Sequence, residues 1–188
     1  MGKREDILAA TRDLIVEEGL HALSFSKIFR RAGVGAGTVY NYFSNKEELV
    51  NSLYLESLAL MDNELLSGYD HRSPIKDRFS SMLLNMANFV RTYPRENALL
   101  TALSHSPYID QELRDRPRLS TQAAFEFFAE GQRDGTLSLM DAKVAMSMVT
   151  VAIICIVEGQ LTGKYPNDKA TLNQAMEACW RMVALPGK

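Results

Sequence analysis

Apolar residues recur at intervals of three and four along most of the chain, the spacing that places them on one side of an α-helix. Ile7, Leu8, Leu14 and Ile15 mark a first helix from about Lys3 to Glu18, and Gly19 supplies its stop. A second, short helix follows Ser24, which can cap the Lys27 amide, and Gly33 turns the chain after Ala32. A third starts near Gly35 and carries Val39, Tyr42 and Phe43 inward. Ser44 and Glu47 then read as a capping box that opens a long fourth helix through Leu49, Leu53, Leu60, Met61 and Leu65. Pro74 suits the first turn of a fifth, whose Ile75, Phe79, Met82, Met86, Phe89 and Val90 keep helical period until Tyr93-Pro94. A sixth helix is expected to about Ser104, a seventh from Tyr108 to Gln132 with a break or kink at Pro117, an eighth over 138–162 and a ninth over 168–184. The pattern predicts an all-α chain of about nine helices, with no strand and no internal repeat.

Composition narrows the class further. The chain has 188 residues, 46% hydrophobic and 23% charged, with a net charge of -2, the profile of a globular protein rather than a disordered or fibrous one. The longest stretch without charge, Val144 to Val157, is shorter than a membrane span of about 20 residues, so a buried helix and no membrane association are expected there. MGKREDIL is charged and amphipathic rather than the start of a signal peptide, and Cys155 and Cys179 sit in apolar helical segments, which suits reduced core thiols in a cytoplasmic protein. His21, His71 and His105 are scattered, and no paired-histidine, Cys-x-x-Cys or nucleophile-elbow pattern points to a metal, a cofactor or an enzyme.

Charge is uneven where it matters. Between Gly19 and Lys46 stand Lys27, Arg30, Arg31 and Lys46 without one acid, a small basic patch on a slightly acidic chain. The same segment reads as a helix-turn-helix, with Gly33 allowing the sharp turn, Val34 plugging the space between helices and the second helix set for a DNA major groove. Ala36, Gly37, Thr38, Tyr40 and Asn41 would face outward. The spacing Gly33-x-Gly35-x-Gly37 is not a dinucleotide fingerprint, because Thr38 stands where its third glycine belongs and no strand precedes it. By chemistry, Asn41 can bind adenine bidentately, Ser26 and Thr38 can reach base edges, and Ala36 and Gly37 permit close approach to a thymine methyl.

Ala32-Gly33-Val34, Gly37-Thr38-Val39-Tyr40-x-Tyr42-Phe43 and Lys46-Glu47-Glu48-Leu49 closely resemble the signature of the TetR (tetracycline-repressor-like) transcriptional regulators. The resemblance implies a DNA-binding domain over 1–46 and a ligand-binding and dimerisation domain over 47–188. It further implies repression of palindromic operator DNA by a homodimer that a small molecule releases. Carried onto this chain, it gives the Ser24 and Tyr40 hydroxyls to phosphates, Thr38 to phosphate or base, and Lys46 to the DNA backbone, with Lys27 and Tyr42 beside them. Two positions depart from the family: Gly35 stands where a serine or threonine is usual, and Lys27 where an acid is common. The alternative without that resemblance is a helical small-molecule or protein-binding module.

Two further sets of residues are candidates. Ala145, Met148, Ala152, Cys155 and Gly159 form a seam of small and flexible side chains, and Leu172, Ala175, Met176, Cys179 and Met182 a second one, together suited to a four-helix homodimer interface. Val144, Val151, Ile154 and Val157 are expected to face away from that seam. For a small, largely apolar ligand the candidate lining is Met82, Asn85, Met86 and Phe89 with Phe125, Phe128 and His105, although a Met and Phe stripe at helical spacing is more often packed core.

Overall fold

The computed structural model describes residues 2–104 and 106–187, and among these it contains ten α-helices and no strand. The helices are α1 (Lys3–Glu18), α2 (Phe25–Ala32), α3 (Ala36–Tyr42), α4 (Lys46–Leu65), α5 (Ile75–Thr92), α6 (Pro94–Leu103), α7 (Gln111–Arg114), α8 (Leu119–Arg133), α9 (Ala142–Leu161) and α10 (Lys169–Val183). The expected seventh helix is two helices. Its polar start yields only the single turn of α7, and the chain then bends at 115–116 and becomes extended at Arg118, so that α8 begins beyond Pro117.

The chain condenses into two units, Met1–Leu60 with Tyr93–Arg116, and Met61–Thr92 with Pro117–Lys188. This division differs from a simple cut at residue 46, since the first unit keeps most of α4 and takes in α6 and α7. Its core is built from Ile7, Leu14, Ile15, Ile28, Val39, Phe43, Leu49 and Leu99, all buried. Polar groups hold α6 against α1: Arg12 meets Glu96 at 2.6 Å, and Arg95 meets both Asp13 and Glu17 at 3.0 Å.

In the second unit, Phe79 lies 6.1 Å from Phe127 and 5.4 Å from Trp180, ring centre to ring centre, joining α5, α8 and α10. Complete burial of a side chain such as Phe127 stabilises by roughly 1.5–3 kcal/mol. Gln160, buried at the end of α9, donates to the carbonyls of Pro166 and Asp168 and accepts from Arg91 at 2.6 Å, so the turn into α10 is satisfied from within. Asp141 and Asp168 cap α9 and α10 by accepting from first-turn amides.

Helix α9 is long and apolar enough to cross a membrane by length and composition, because the helix extends past the charge-free stretch at both ends. Only a third of it is buried within the chain. Its packed face, Ala145, Val149, Ile153 and Val157, meets its own unit.

Candidate nucleic-acid interface and ligand cavity

Ser24 caps α2, its hydroxyl accepting from the Lys27 amide at 3.4 Å and lying 3.1 Å from the Ser26 hydroxyl. Gly33 ends α2 in the left-handed region at φ 66°, where a side chain would be strained, and the amides of Gly33 and Val34 both return to the Phe29 carbonyl. Val39 and Ile28 fill the space between the helices completely, while Val34, expected as the plug, is only half-buried. Gly35 caps α3 with no side-chain bond. A Cβ at Gly35 or Gly37 would meet open space, so nothing inside the protein demands glycine there.

Ala36, Gly37, Tyr40 and Asn41 are exposed and Thr38 half-exposed, so α3 presents a face of short groups. Tyr42, expected inward, is 43% exposed; Phe43 takes the core position instead. Tyr40 is 54% exposed, yet its ring is supported from behind by Phe25 at 5.1 Å and Phe29 at 6.1 Å. That support was not legible from spacing alone.

The basic patch is thinner than its sequence suggests. Glu18 accepts from Lys27 and Glu17 from Arg31, each at 2.6 Å, because the end of α1 runs beside α2. Two hydrogen bonds from Arg31 and Arg95 lower the Glu17 carboxyl to about 2. The Lys46 ammonium donates to the Leu20 carbonyl at 3.2 Å and lies over the Tyr108 ring at 4.7 Å. Arg30 is exposed and, among the described residues, makes no ion pair or hydrogen bond. The expected capping box is displaced by one residue: Asn45 accepts from the Glu48 amide at 2.8 Å, and the Glu48 carboxylate, not that of Glu47, accepts from the Ser44 amide at 2.7 Å.

The second unit encloses a cavity of about 160 Å³ between the end of α4 and helices α5, α8 and α9. Met82, Met86 and Phe128 line it as expected, joined by Met61, Phe79 and Met146. Asn85 does not; it donates to the Leu65 and Ser67 carbonyls at 3.0 and 2.8 Å and so secures the C-terminal end of α4. Phe89 is packed in the core, Phe125 sits outside the lining, and His105 lies outside the described residues. The polar residues of the lining are Arg118, Ser120 and Thr121, around the start of α8, and Thr150 of α9. Arg118 and Ser120 both bond Asp62 of α4, a contact across 56 and 58 residues that periodicity could not reveal.

The candidate interface residues divide. Ala145, Gly159, Leu172 and Cys179 are buried in the chain's own fold, Ala152, Ala175, Met176 and Met182 are half-buried, and Met148 and Cys155 are exposed. The open apolar stripe of α9 is Val144, Met148, Val151 and Cys155, one step round from the expected seam; Val144 is 51% and Val151 66% exposed. Cys155 is thus a surface thiol rather than a core one, while Cys179 is buried and its ionisation disfavoured by desolvation. Val157 faces the core, and Ile154 is half-buried.

This combination of a capped short helix, a glycine turn and an exposed second helix defines a helix-turn-helix protein with a separate cavity-bearing helical unit. Comparison with known proteins agrees. Residues 7–53 match the family described as bacterial regulatory proteins, tetR family, and residues 74–184 match the tetracyclin repressor-like C-terminal domain. The chain therefore belongs to the TetR family of helix-turn-helix transcriptional regulators. An HTH-type transcriptional regulator of Haemophilus influenzae is 33% identical over 90 residues, covering 48% of each chain. The fatty acid metabolism regulator protein of Bacillus subtilis is 31% identical over 81 residues, 43% of this chain and 42% of that one. These matches span about half the length of those curated relatives. A solved TetR-family protein from Vibrio parahaemolyticus is 29% identical with a TM-score of 0.82, covering 98% of this chain and 99% of that one.

Proposed function

We propose that this protein is a repressor that binds palindromic operator DNA as a homodimer and is released by a small, largely apolar molecule. The observation that carries the reading is α3 itself: a helix set behind the Gly33 turn, with Ala36, Gly37, Tyr40 and Asn41 open to a partner and Val39 anchoring it. Short groups on the outer face allow the helix axis to approach base edges closely, and Asn41 supplies the bidentate reader. Ser24, Ser26, Thr38, Tyr40, Tyr42 and Lys46 would fix register on phosphates and sugars, with Arg30 added and Lys27 remaining paired to Glu18. Residues 1–46 would be the reading head and 47–188 the responding body, working in the cytoplasm where the operator is.

Dimerisation would cover the Val144, Met148, Val151 and Cys155 stripe, with α10 beside it. The cavity among α4, α5, α8 and α9 would receive the releasing molecule. Relatives support a regulatory role by their names, one a fatty acid metabolism regulator and one in Escherichia coli K12, 23% identical over 168 residues, a probable acrEF/envCD operon repressor.

Selection of bound fragments from random duplex DNA tests the reading. Enrichment of a palindrome with half-site centres about one helical turn or slightly more apart, roughly 34–36 Å or above, is the expected result. A pool that shows no salt-sensitive binding and no enriched sequence overturns it and leaves a helical binding module without DNA recognition.

A further inference from the structure

The lining of the cavity is hydrocarbon and thioether apart from Arg118, Ser120 and Thr121, at the start of α8, and Thr150 of α9. No side chain caps α8 at Arg118, so the first-turn amides there keep the partial positive charge of a helix start. Asp62 of α4, which is not itself among the lining residues, is the partner of both Arg118 and Ser120. Arg118 Nε donates to Asp62 Oδ1 at 3.1 Å, the Arg118 terminal nitrogen donates to the same oxygen, and Ser120 donates to it at 2.5 Å. Among the described residues no hydrogen bond is made to the second Asp62 oxygen. The two charged side chains are 13% and 23% exposed, so the pair is largely shielded from water.

We propose that Asp62 is a built-in placeholder, and that the releasing molecule is a small monocarboxylate with an apolar tail. Its carboxylate takes the place of Asp62 on Arg118 and Ser120, and its tail lies among Met82, Met86, Phe128 and Met146. This rests on the ligand-release reading above and adds the chemical class. An anion exchanges one carboxylate for another, so Arg118 is not left as an uncompensated buried charge, and the displaced Asp62 carboxylate turns out to water. A cation would meet the guanidinium and the start of α8, and a neutral molecule would leave the ion pair intact and gain only from its apolar surface. A cavity of about 160 Å³ resembles one that takes a benzene-sized group, about 150 Å³, so the tail is short. Asp62 lies on α4, the helix that begins at Lys46 after the Asn45 cap, so its displacement loosens the far end of the helix that leads to the reading head.

The test uses the purified full chain without DNA and three probes of one tail length: hexanoate, hexanol and hexylamine. Calorimetry and melting shifts should show hexanoate binding about tenfold or more tightly than either other probe. Arg118→Met should abolish the preference for acid over alcohol. Asp62→Asn should tighten hexanoate binding by about tenfold, because the competing state is depopulated. A merely structural Asp62 would instead weaken it. Equal or better binding of the alcohol or the amine, weaker hexanoate binding in Asp62→Asn, a folded Arg118→Met that keeps the preference, or no binding of any probe overturns the proposal. Should Arg118→Met fail to fold, Asp62→Asn decides. DNA release is read separately by fluorescence anisotropy: hexanoate that binds as described yet leaves DNA affinity unchanged refutes release while the carboxylate assignment stands.

Discussion

The Lys46 ammonium lies 4.7 Å from the centroid of the Tyr108 ring, within reach of the aromatic face, and donates to the Leu20 carbonyl at 3.2 Å. The residue proposed to hold a DNA phosphate therefore also ties the first turn of α4 to two other segments of its own unit. The two roles separate by salt. Lys46→Met should weaken binding to every duplex alike and reduce the slope of log affinity against log salt by about one per protomer. Tyr108→Leu removes the ring but keeps the charge, so it should lower the melting temperature while leaving the slope unchanged. A Lys46→Met protein with the wild-type slope would assign the lysine to stability alone.

Asn41 is exposed on α3, and its side chain makes no hydrogen bond among the described residues. Asn41→Ala should therefore leave the melting temperature unchanged and alter preference at one operator position, by roughly 1–3 kcal/mol. Affinities for single-base variants of the selected site, measured for both proteins, check this. A uniform loss over all variants would place Asn41 on the backbone instead.

Covering the α9 stripe should make the protein a dimer of about 42 kDa by light scattering, twice the chain mass of 21.1 kDa. Val151 is the most exposed valine of that stripe, so Val151→Glu should give a monomer that still folds. Cys155 provides an independent readout, since a surface thiol buried at the interface reacts slowly with a thiol reagent in the dimer and quickly in the monomer. A wild-type monomer at micromolar concentration would exclude this interface.

Glu17 joins α1 to α2 through Arg31 and to α6 through Arg95, at 2.6 and 3.0 Å. Its folded carboxyl titrates at about 2 against an ordinary value of 4.5. A lowered carboxyl stabilises fully above its unfolded value, and that contribution fades as pH falls from 4.5 through about 2. The melting-temperature gap between wild type and Glu17→Gln should thus be open at neutral pH and closed near pH 2. A gap independent of pH would mean that the carboxylate charge is not what joins the helices.

Local signals carried far into the fold. Ser24, Gly33, Pro94 and Asp168 each mark a helix boundary by their own chemistry, and each stands at one here. The capping box was displaced by one residue because Asn45 competes with Ser44 as a cap and Glu48 with Glu47 as the returning acid. What sequence could not rank was the faces of α9, where nearly every position is apolar and small residues on one side are matched by valines on the other. Nor could it show that Glu17 and Glu18 would neutralise a patch counted from Gly19 onward. The Asp62–Arg118 pair was likewise hidden, since the two residues meet only through tertiary packing.

Gly159 distinguishes the two views of α9. Read as part of a small-residue seam, it would let a neighbouring chain approach, and an alanine there would weaken the dimer. In the structure Gly159 instead faces Tyr165 of its own chain, whose ring a Cβ at that position would overlap, and its carbonyl accepts from the Tyr165 amide at 3.0 Å. Gly159→Ala should therefore destabilise the chain by about 1–3 kcal/mol, as overpacking does, with the molecular mass unchanged. Truncating the opposing ring relieves the overlap, so Gly159→Ala combined with Tyr165→Ala should be less destabilised than the sum of the single changes. Additive losses together with dissociation to a monomer would return Gly159 to the interface.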